Sequence, residues 1–316
     1  AHVESYAPQG DSDFLRAEAR ERSYARMMFL FKLLARLPLP VLHGLGIVLG
    51  WLIYWAPGRH SARMRNNLFD SGLCTPGRDC QALLRQTIGE AGKAIVELLP
   101  VWLRPYEKAL KLVKGTTGWE QIDAARAAGK GVIVIAPHLG CFEMINQYYA
   151  ARHPFTAMYK PPRQPTLDAL MLRGRQRGQA KLVPTDLSGV RAQLAALKRH
   201  EAIGILPDQV ATGGDGVWAP FFGRPAYTPT LVASLQRKTG AAAFFVAAER
   251  LSWGRGYHLH VMPLDEPLPE DKTAAATRIN QAVEAIVRRF PSQYLWSYNR
   301  HKRPGGAPDP GNSASA

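Results

Sequence analysis

Two residues capable of acid–base chemistry follow an apolar run near the middle of the chain. His138 comes directly after residues 131–137 (GVIVIAP), and Glu143 lies five residues beyond it. A neutral histidine can take a proton from an alcohol, and a nearby carboxylate can fix its tautomer and stabilise the imidazolium that forms. Alternatively, His138 caps a loop and Glu143 only interacts favourably with the dipole of the following helix.

The residues around this pair predict how the chain positions it. Residues 132–136 form a short, continuous apolar run rich in β-branched side chains, which predicts a strand buried on both faces of a parallel or mixed sheet. His138 then lies at the carboxyl end of that strand, where α/β sheets usually bind ligands, and Glu143 lies in the first turn of a helix that begins near Gly140. Five residues correspond to about 140° of helical rotation, so Glu143 reaches the imidazole only if His138 precedes the helix.

Three cations are candidate ligands of an anion such as phosphate. Lys160 and Arg163 follow a predicted strand at residues 155–159, and the prolines between them hold the chain extended so that both side chains project into a cleft. Arg224, in a proline-bounded loop, is a further candidate. The alternative for Lys160 and Arg163 is a solvated surface pair.

A polar pair, Asp208 and Gln209, follows another predicted strand, at residues 202–206. Because strand ends can meet at one edge of a sheet, Asp208 can reach the crevice that holds His138, and Gln209 can add an amide. Asp208 can instead cap the glycine-rich loop at residues 211–216. That loop is not a phosphate-binding P-loop, since no Gly-Lys-Ser/Thr follows it.

The most hydrophobic stretch lies near the beginning of the chain, where no Asp, Glu, Lys or Arg occurs between Arg36 and Arg59. A helix over residues 41–55 would be about 22 Å long, shorter than a hydrocarbon core of about 30 Å. This favours a helix that dips into or lies on one leaflet. A tilted span that includes the preceding segment and a buried helical hairpin of a soluble protein are the alternatives. Gly46 and Gly50 would let another helix approach closely.

Strand and helix patterns alternate along the rest of the chain. Strands are predicted at residues 132–136, 155–159, 202–206, 242–247 and 257–263, and helices at 80–103, 167–177, 189–199, 230–239 and 272–289. This alternation predicts an α/β fold with a mostly parallel or mixed central sheet flanked by helices. The predicted organisation is a polar segment at 1–22, hydrophobic membrane-anchoring helices at 23–58, an α/β catalytic domain at 59–303 and a disordered tail at 304–316.

The net charge indicates which partners the chain binds, and the cysteine content indicates its redox setting. The 316 residues carry a formal net charge of +15, which predicts an acidic partner: nucleic acid, an anionic membrane surface or an acidic carrier protein. Only Cys74, Cys80 and Cys141 are present, without a repeated metal-ligand pair, which favours a reduced cytoplasmic setting and no metal site. Cys141 is better explained as a small residue packed in a turn than as a nucleophile.

Several short blocks, in their order, resemble the lipid A biosynthesis acyltransferase family, also called the late or secondary acyltransferases. The resemblance covers roughly residues 24–303 and includes the His-x4-Asp/Glu signature shared with glycerolipid acyltransferases, here His138 and Glu143. One departure is lysine at position 160, where the second block often reads Tyr-Arg-Pro, so that either Lys160 or Arg163 takes the arginine's part. The further similar blocks are MYKPPR at 158–163, LPDQ at 206–209, PFFGRPAYTPT at 220–230 and QYLWSYNRHKRP at 293–304.

The resemblance implies transfer of a fatty acyl chain from an acyl carrier protein thioester to a hydroxyl of a lipid A precursor. His138 would deprotonate the hydroxyl, Glu143 would orient His138, and backbone amides near Gly140 would stabilise the oxyanion. No covalent enzyme intermediate, metal or cofactor is implied. The implied partners are acyl carrier protein, anionic inner-membrane lipid and a phosphorylated lipid acceptor, at the cytoplasmic face of the bacterial inner membrane.

Two other functions are compatible with parts of the sequence. A related acyltransferase that acts on a lysophospholipid, an aminolipid or a pigment precursor would carry the same blocks. A basic membrane-associated nucleic-acid-binding protein is suggested by charge alone, and the dispersed basic residues without a recognisable nucleic-acid motif argue against it.

In the acyltransferase interpretation, Trp218, Phe221 and Phe222 either line an acyl channel or belong to the core. Arg300 is predicted to lie on a basic surface patch.

Overall fold

The computed structural model describes residues 24–75, 77–211, 214–264 and 267–310. The polar segment predicted at residues 1–22 lies outside these ranges, as do residues 311–316 of the predicted tail.

Helices and strands alternate through the described part of the chain. The helices are α1 (24–36), α2 (Leu39–Trp55), α3 (Arg59–Phe69), α4 (Arg78–Val96), α5 (Leu98–Leu103), α6 (Tyr106–Leu110), α7 (Trp119–Ala127), α8 (Glu143–Ala150), α9 (Pro165–Arg175), α10 (Leu187–Lys198), α11 (Leu231–Thr239) and α12 (Lys272–Arg289). The strands are β1 (Val113–Thr117), β2 (Val132–Ile135), β3 (Phe155–Tyr159), β4 (Ala180–Pro184), β5 (Ala202–Ile205), β6 (Gly216–Phe221), β7 (Arg224–Pro229), β8 (Ala242–Arg250) and β9 (Tyr257–Pro263).

Seven strands form one central sheet in the order β1-β9-β8-β2-β5-β3-β4, and β6 and β7 form a separate hairpin. The central pairs are parallel except for β8 with β9, which are antiparallel. The predicted α/β fold with a mostly parallel or mixed sheet is therefore confirmed. Strand β2 is fully buried, and its alternating side chains enter two different core clusters, one on each face of the sheet.

Four of the nine strands were not predicted from the sequence: β6 and β7, which form the separate hairpin, and β1 and β4, which lie at the edges of the central sheet. Strands β1 and β4 carry exposed lysines, Lys114 and Lys181, and are only partly buried, so they lack the continuous apolar run of the central strands. The single helix predicted at residues 80–103 is also divided, into α4 and α5. The reason is Pro100, which has no N–H to continue the α-helical hydrogen bonds. The side chain of Glu97, at the break between the two helices, is buried.

The hydrophobic helix α2 is buried on one face only. Gly46 and Gly50 pack against α4 so closely that an added Cβ would overlap its backbone. On the opposite face Val48, Leu52 and Trp55 are 58, 59 and 70% exposed, so α2 is not a fully buried core helix. No single helix in the described ranges has the length and apolar composition needed to cross a membrane. Helices α2 and α3 meet that test only as a pair, bent by 101°.

Two expectations about the chain's covalent state and tail are corrected. Cys74 and Cys80 form a disulfide across the α3–α4 connection, with Cα atoms 5.1 Å apart, whereas the sequence favours a reduced setting. Cys141 is a free, buried thiol, and burial raises its pKa well above the ordinary value, which agrees with a packing role.

Residues 304–310 of the predicted disordered tail pack on the hairpin, where the Trp218 indole donates to the Pro308 carbonyl and Ala307 is buried.

Candidate active site

His138 lies at the carboxyl end of β2 and is held by a carboxylate from the neighbouring strand. Asp208, just beyond β5, accepts from the backbone N–H of His138 through Oδ2 at 2.8 Å and contacts the ring Nδ1 through Oδ1 at 2.8 Å. This pairing follows from sheet order, because β2 and β5 are parallel neighbours and their carboxyl ends coincide. Phe142 packs against the imidazole, with ring centroids 4.8 Å apart.

The two ring nitrogens of His138 have different partners, which assigns their roles. An ionised Asp208 only accepts hydrogen bonds, so Nδ1 carries the proton and Nε2 presents a lone pair. The Gln209 amide lies 3.0 Å from Nε2 and donates to it. Burial opposes ionisation of Asp208, but the charge that His138 acquires on protonation, the two hydrogen bonds that His138 donates and nearby Arg300 hold the Asp208 pKa below its ordinary value. A base with this tautomer can take a proton from a hydroxyl that displaces Gln209.

Glu143 does not take the part predicted for it. Its carboxylate accepts from the Nε of Arg175 at 3.0 Å and from the Trp102 indole at 3.2 Å, and it also pairs with a terminal guanidinium nitrogen of Arg175. Glu143 is the first residue of α8, and its side chain faces α5 and α9. The expected Glu143–His138 hydrogen bond is therefore replaced by Asp208–His138, because the rotation of α8 aims Glu143 at the cavity wall.

A cavity of about 410 Å³ opens beside His138 and runs over the sheet. His138, Glu143, Lys160, Arg175 and Gln209 line its polar part. The remaining wall is mostly apolar and includes Val134, Phe155, Ala157, Leu182 and Leu206. Gly204 also lines the cavity, in close contact with Phe155, where an added Cβ would lie 2.6 Å from the phenyl ring. The arrangement places a base at one end of a space suited to a hydrocarbon chain.

The other predicted anion ligands lie elsewhere. Arg163 is exposed, and it is not among the described residues that line the cavity. Arg224 forms an ion pair with Asp70, 2.8 Å between Nη1 and Oδ2, near a separate small pocket. Arg300, predicted on a surface patch, is 3% exposed and donates to the Tyr227 carbonyl. Phe221 and Phe222 belong to the hydrophobic core, and Trp218 is buried within the hairpin cluster, which excludes them from the described cavity lining.

Two of the backbone amides near His138, those of Gly140 and Cys141, already donate to carbonyls. The Gly140 N–H donates to the Gln293 carbonyl at 3.0 Å, and the Cys141 N–H donates to the Ala248 carbonyl at 2.9 Å. The N–H of Leu295 in turn donates to the His138 carbonyl at 3.0 Å. These bonds hold the turn that contains His138 in place. They make the Gly140 and Cys141 amides unsuitable as oxyanion donors, so the predicted contribution of backbone amides near Gly140 cannot come from these two.

Arg175 and Trp102 are site residues that sequence reasoning missed. Arg175 is half-buried, and although burial opposes its charge, Glu143 raises its pKa above the ordinary value. Trp102 lies under this pair, with the guanidinium carbon 5.7 Å from its ring centroid. The only sequence signal for Arg175 is the basic run RGRQR at residues 173–177, which by itself is typical of a solvated surface.

Comparison with known proteins gives consistent matches over most of the chain. A family model described as bacterial lipid A biosynthesis acyltransferase matches residues 18–303. The lipid A biosynthesis palmitoleoyltransferase of Escherichia coli is 29% identical over 276 residues, which cover 86% of this chain and 88% of that protein. The lipid A biosynthesis lauroyltransferase of Escherichia coli is 27% identical over 283 residues, 87% and 90% of the two chains. The phosphatidylinositol mannoside acyltransferase of Mycobacterium tuberculosis is 26% identical over 213 residues, 66% of each chain.

Proposed function

The chain belongs to the bacterial lipid A biosynthesis acyltransferase family, and we propose that it transfers a fatty acyl chain from an acyl carrier protein thioester to a hydroxyl of a lipid A precursor. The observation that carries this proposal is the His138–Asp208 pair at the mouth of an apolar cavity. A protein that binds lipid without chemistry has no need for an oriented base beside the chain-binding space.

In the proposed reaction, the acceptor hydroxyl displaces the Gln209 amide and donates its hydrogen bond to Nε2 of His138. Nε2 takes the proton as the oxygen attacks the thioester carbonyl, and Asp208 stabilises the imidazolium that forms. Collapse of the tetrahedral intermediate breaks the carbon–sulfur bond, and the imidazolium returns the proton to the leaving thiolate. The displaced Gln209 amide is a candidate donor to the oxyanion, because Gly140 and Cys141 are occupied.

Two other cavity groups position the substrates in this proposal. The Glu143–Arg175 pair forms a charged wall that is rigid because Trp102 supports it. Lys160 is the cation available for a phosphate of the acceptor, since it lines the cavity and Arg163 does not.

We place the protein at the cytoplasmic face of the bacterial inner membrane, in contact with anionic lipid. The support is the exposed apolar face of α2 together with Phe29 and Leu33 of α1, which are 72 and 50% exposed. The full chain should sediment with vesicles that contain phosphatidylglycerol. Recovery of the intact chain in the supernatant at low salt without detergent would contradict the membrane assignment.

A purified-enzyme assay tests the function. Acyl carrier protein and coenzyme A thioesters are supplied as donors, with a phosphorylated lipid A precursor as acceptor, and products are identified by mass spectrometry. Transfer that requires the carrier-protein donor supports the proposal, and His138→Ala should lower turnover by about 10² to 10⁴ while the protein stays folded. Unchanged turnover by folded His138→Ala would remove His138 from the mechanism.

One comparison favours a second acceptor class. A relative named for acylating phosphatidylinositol mannoside matches 66% of this chain, so a glycosylated phospholipid is the alternative acceptor. Offering that lipid in the same assay, in competition with the lipid A precursor, separates the two acceptors by relative kcat/KM.

A further inference from the structure

A second, strongly basic cleft lies on the other side of the Trp102–Glu143 contact. Its volume is about 990 Å³, and its walls come from α1, from the α5–α6 connection and from α9. None of its described lining residues is Asp or Glu, whereas six are cationic: Lys32, Arg36, Arg104, Lys108, Arg173 and Arg177. Six positive charges around one opening make an electrostatic site for an anion.

The base of this cleft is rigid. Arg104 donates to the carbonyls of Ala35 and Leu37 at 2.7 and 2.6 Å, and Arg177 donates to the carbonyls of Val101 and Arg104 at 2.8 and 2.7 Å. Both arginines are partly buried, and this burial lowers their pKa values, so that their charges are poorly solvated. Within the described part of the chain they contact carbonyls and an aromatic ring, and no carboxylate there balances their positive charge.

The remaining cations are arranged around the mouth. Lys32, Arg36, Lys108 and Arg173 are exposed, and within the described part of the chain no ion pair engages them. Lys32 and Arg36 are four residues apart and therefore share one face of α1. On an adjacent face Phe29, Leu30 and Leu33 are 72, 50 and 50% exposed.

We propose that this cleft binds the phosphate group of a lipid whose chains lie along the apolar face of α1. Apolar side chains beside cations on one helix match a lipid in both respects, since the hydrocarbon contacts the former and the phosphate contacts the latter. A carrier protein would match the charge but would leave Phe29, Leu30 and Leu33 without an apolar partner. The cleft is distinct from the Lys160 site, from which Trp102 and the Glu143–Arg175 pair separate it.

This inference rests on the proposed function and extends it. It gives the phosphate group of a lipid, such as the phosphorylated acceptor, a second binding site that is remote from the reacting hydroxyl. Its test measures binding, so it does not depend on turnover. A His138→Ala protein should bind lipid phosphate like the wild type. If the wild-type chain binds lipid phosphate but shows no transferase activity, the proposed function is refuted and the cleft is not.

The test compares two double variants of the full chain in neutral detergent. Arg36→Gln with Arg173→Gln removes two cations at the mouth whose side chains donate no hydrogen bond to the residues that the structure describes. Lys130→Gln with Lys198→Gln removes two exposed cations before β2 and β5, at the opposite edge of the sheet, and lowers net charge equally. Mixed-micelle binding isotherms are recorded with phosphatidic acid, phosphatidylglycerol and diacylglycerol, and separately with inorganic phosphate and with acyl carrier protein.

We expect the Arg36/Arg173 variant to raise the Kd for phosphatidic acid about tenfold or more, because each charge-assisted contact is worth about that factor. The Lys130/Lys198 variant should change it less than about threefold, and diacylglycerol should bind weakly to all forms. Comparable weakening of phosphatidylglycerol would extend the site to lipid phosphodiesters. Equal effects of the two variants, no effect of either, inorganic phosphate that binds as tightly as the lipid, or a loss confined to acyl carrier protein would each overturn the proposal.

Discussion

Replacing Asp208 by asparagine tests the contact that joins the two strand ends of the site. The carboxylate of Asp208 accepts two hydrogen bonds from His138, one from the backbone N–H and one at Nδ1, each 2.8 Å long. An asparagine has one acceptor oxygen, so one bond must be lost, and its amide then faces a donor. The variant keeps the volume of the side chain but removes both the charge and the pairing.

The size of the effect follows from this geometry. A hydrogen bond to a charged group contributes about 1.5 to 3 kcal/mol. The attraction between an imidazolium and a carboxylate at this separation is on the order of 6 kcal/mol for an effective dielectric constant of about 20, which is an upper bound on what the charge adds. We therefore expect Asp208→Asn to lower kcat by about 10² to 10⁴, equivalent to about 3 to 5 kcal/mol in the transition state.

The assay measures kcat and KM for both substrates, with thermal unfolding as the folding control. In Asp208→Asn kcat should fall while KM for the acceptor changes little, because Asp208 contacts the imidazole and is not among the described residues that line the cavity. Glu143→Gln is the matched control, because Glu143 contacts Arg175 and Trp102 rather than the imidazole. It should lower kcat less than Asp208→Asn does. A kcat within about threefold of wild type in Asp208→Asn, or a larger loss of kcat in Glu143→Gln than in Asp208→Asn, would refute the assignment of Asp208.

Three further predictions concern the acceptor site and the stability of the fold. Lys160→Ala should raise KM for a phosphorylated acceptor about tenfold and change KM for the donor little, while Lys160→Arg should retain most activity. Equal small effects of substitutions at Lys160 and Arg163 would instead indicate a solvated surface pair. The pKa of Glu97 lies at about 2, below its ordinary 4.5, so its ionised form contributes on the order of 3 kcal/mol above about pH 4.5, which is lost as the pH falls towards 2. Denaturant unfolding of Glu97→Gln should therefore differ most from wild type near pH 7, and a gap independent of pH would contradict this. Gly50→Ala should lower the free energy of unfolding by about 1 to 3 kcal/mol, because its Cβ would meet the backbone of α4. Gly44→Ala is the control, since its Cβ has open space around it, and it should stabilise the fold slightly. Equal shifts in the denaturation midpoint would argue against close α2–α4 packing.

Local sequence pattern was sufficient for the parts of the fold that depend on neighbours along the chain. The central strands, including β2 and β5, are short, continuous apolar runs because they are buried on both faces, and this property is visible in the letters themselves. The position of His138 at a strand end followed from the same pattern. The edge strands β1 and β4 were not predictable in this way, because partial exposure permits polar side chains and removes the signal.

The sequence by itself determined that a base, two carboxylates, an amide and several cations stand at the ends of strands or the start of a helix, and its blocks indicated the family. Only the tertiary structure decided which of these groups meet. Asp208 contacts His138, 70 residues away, because β5 is hydrogen-bonded to β2. Glu143 instead pairs with Arg175, which lies on α9, 32 residues further along the chain. Strand order and helix rotation arise from the packing of the whole sheet and its two core layers, so five-residue spacing could not choose between the two carboxylates.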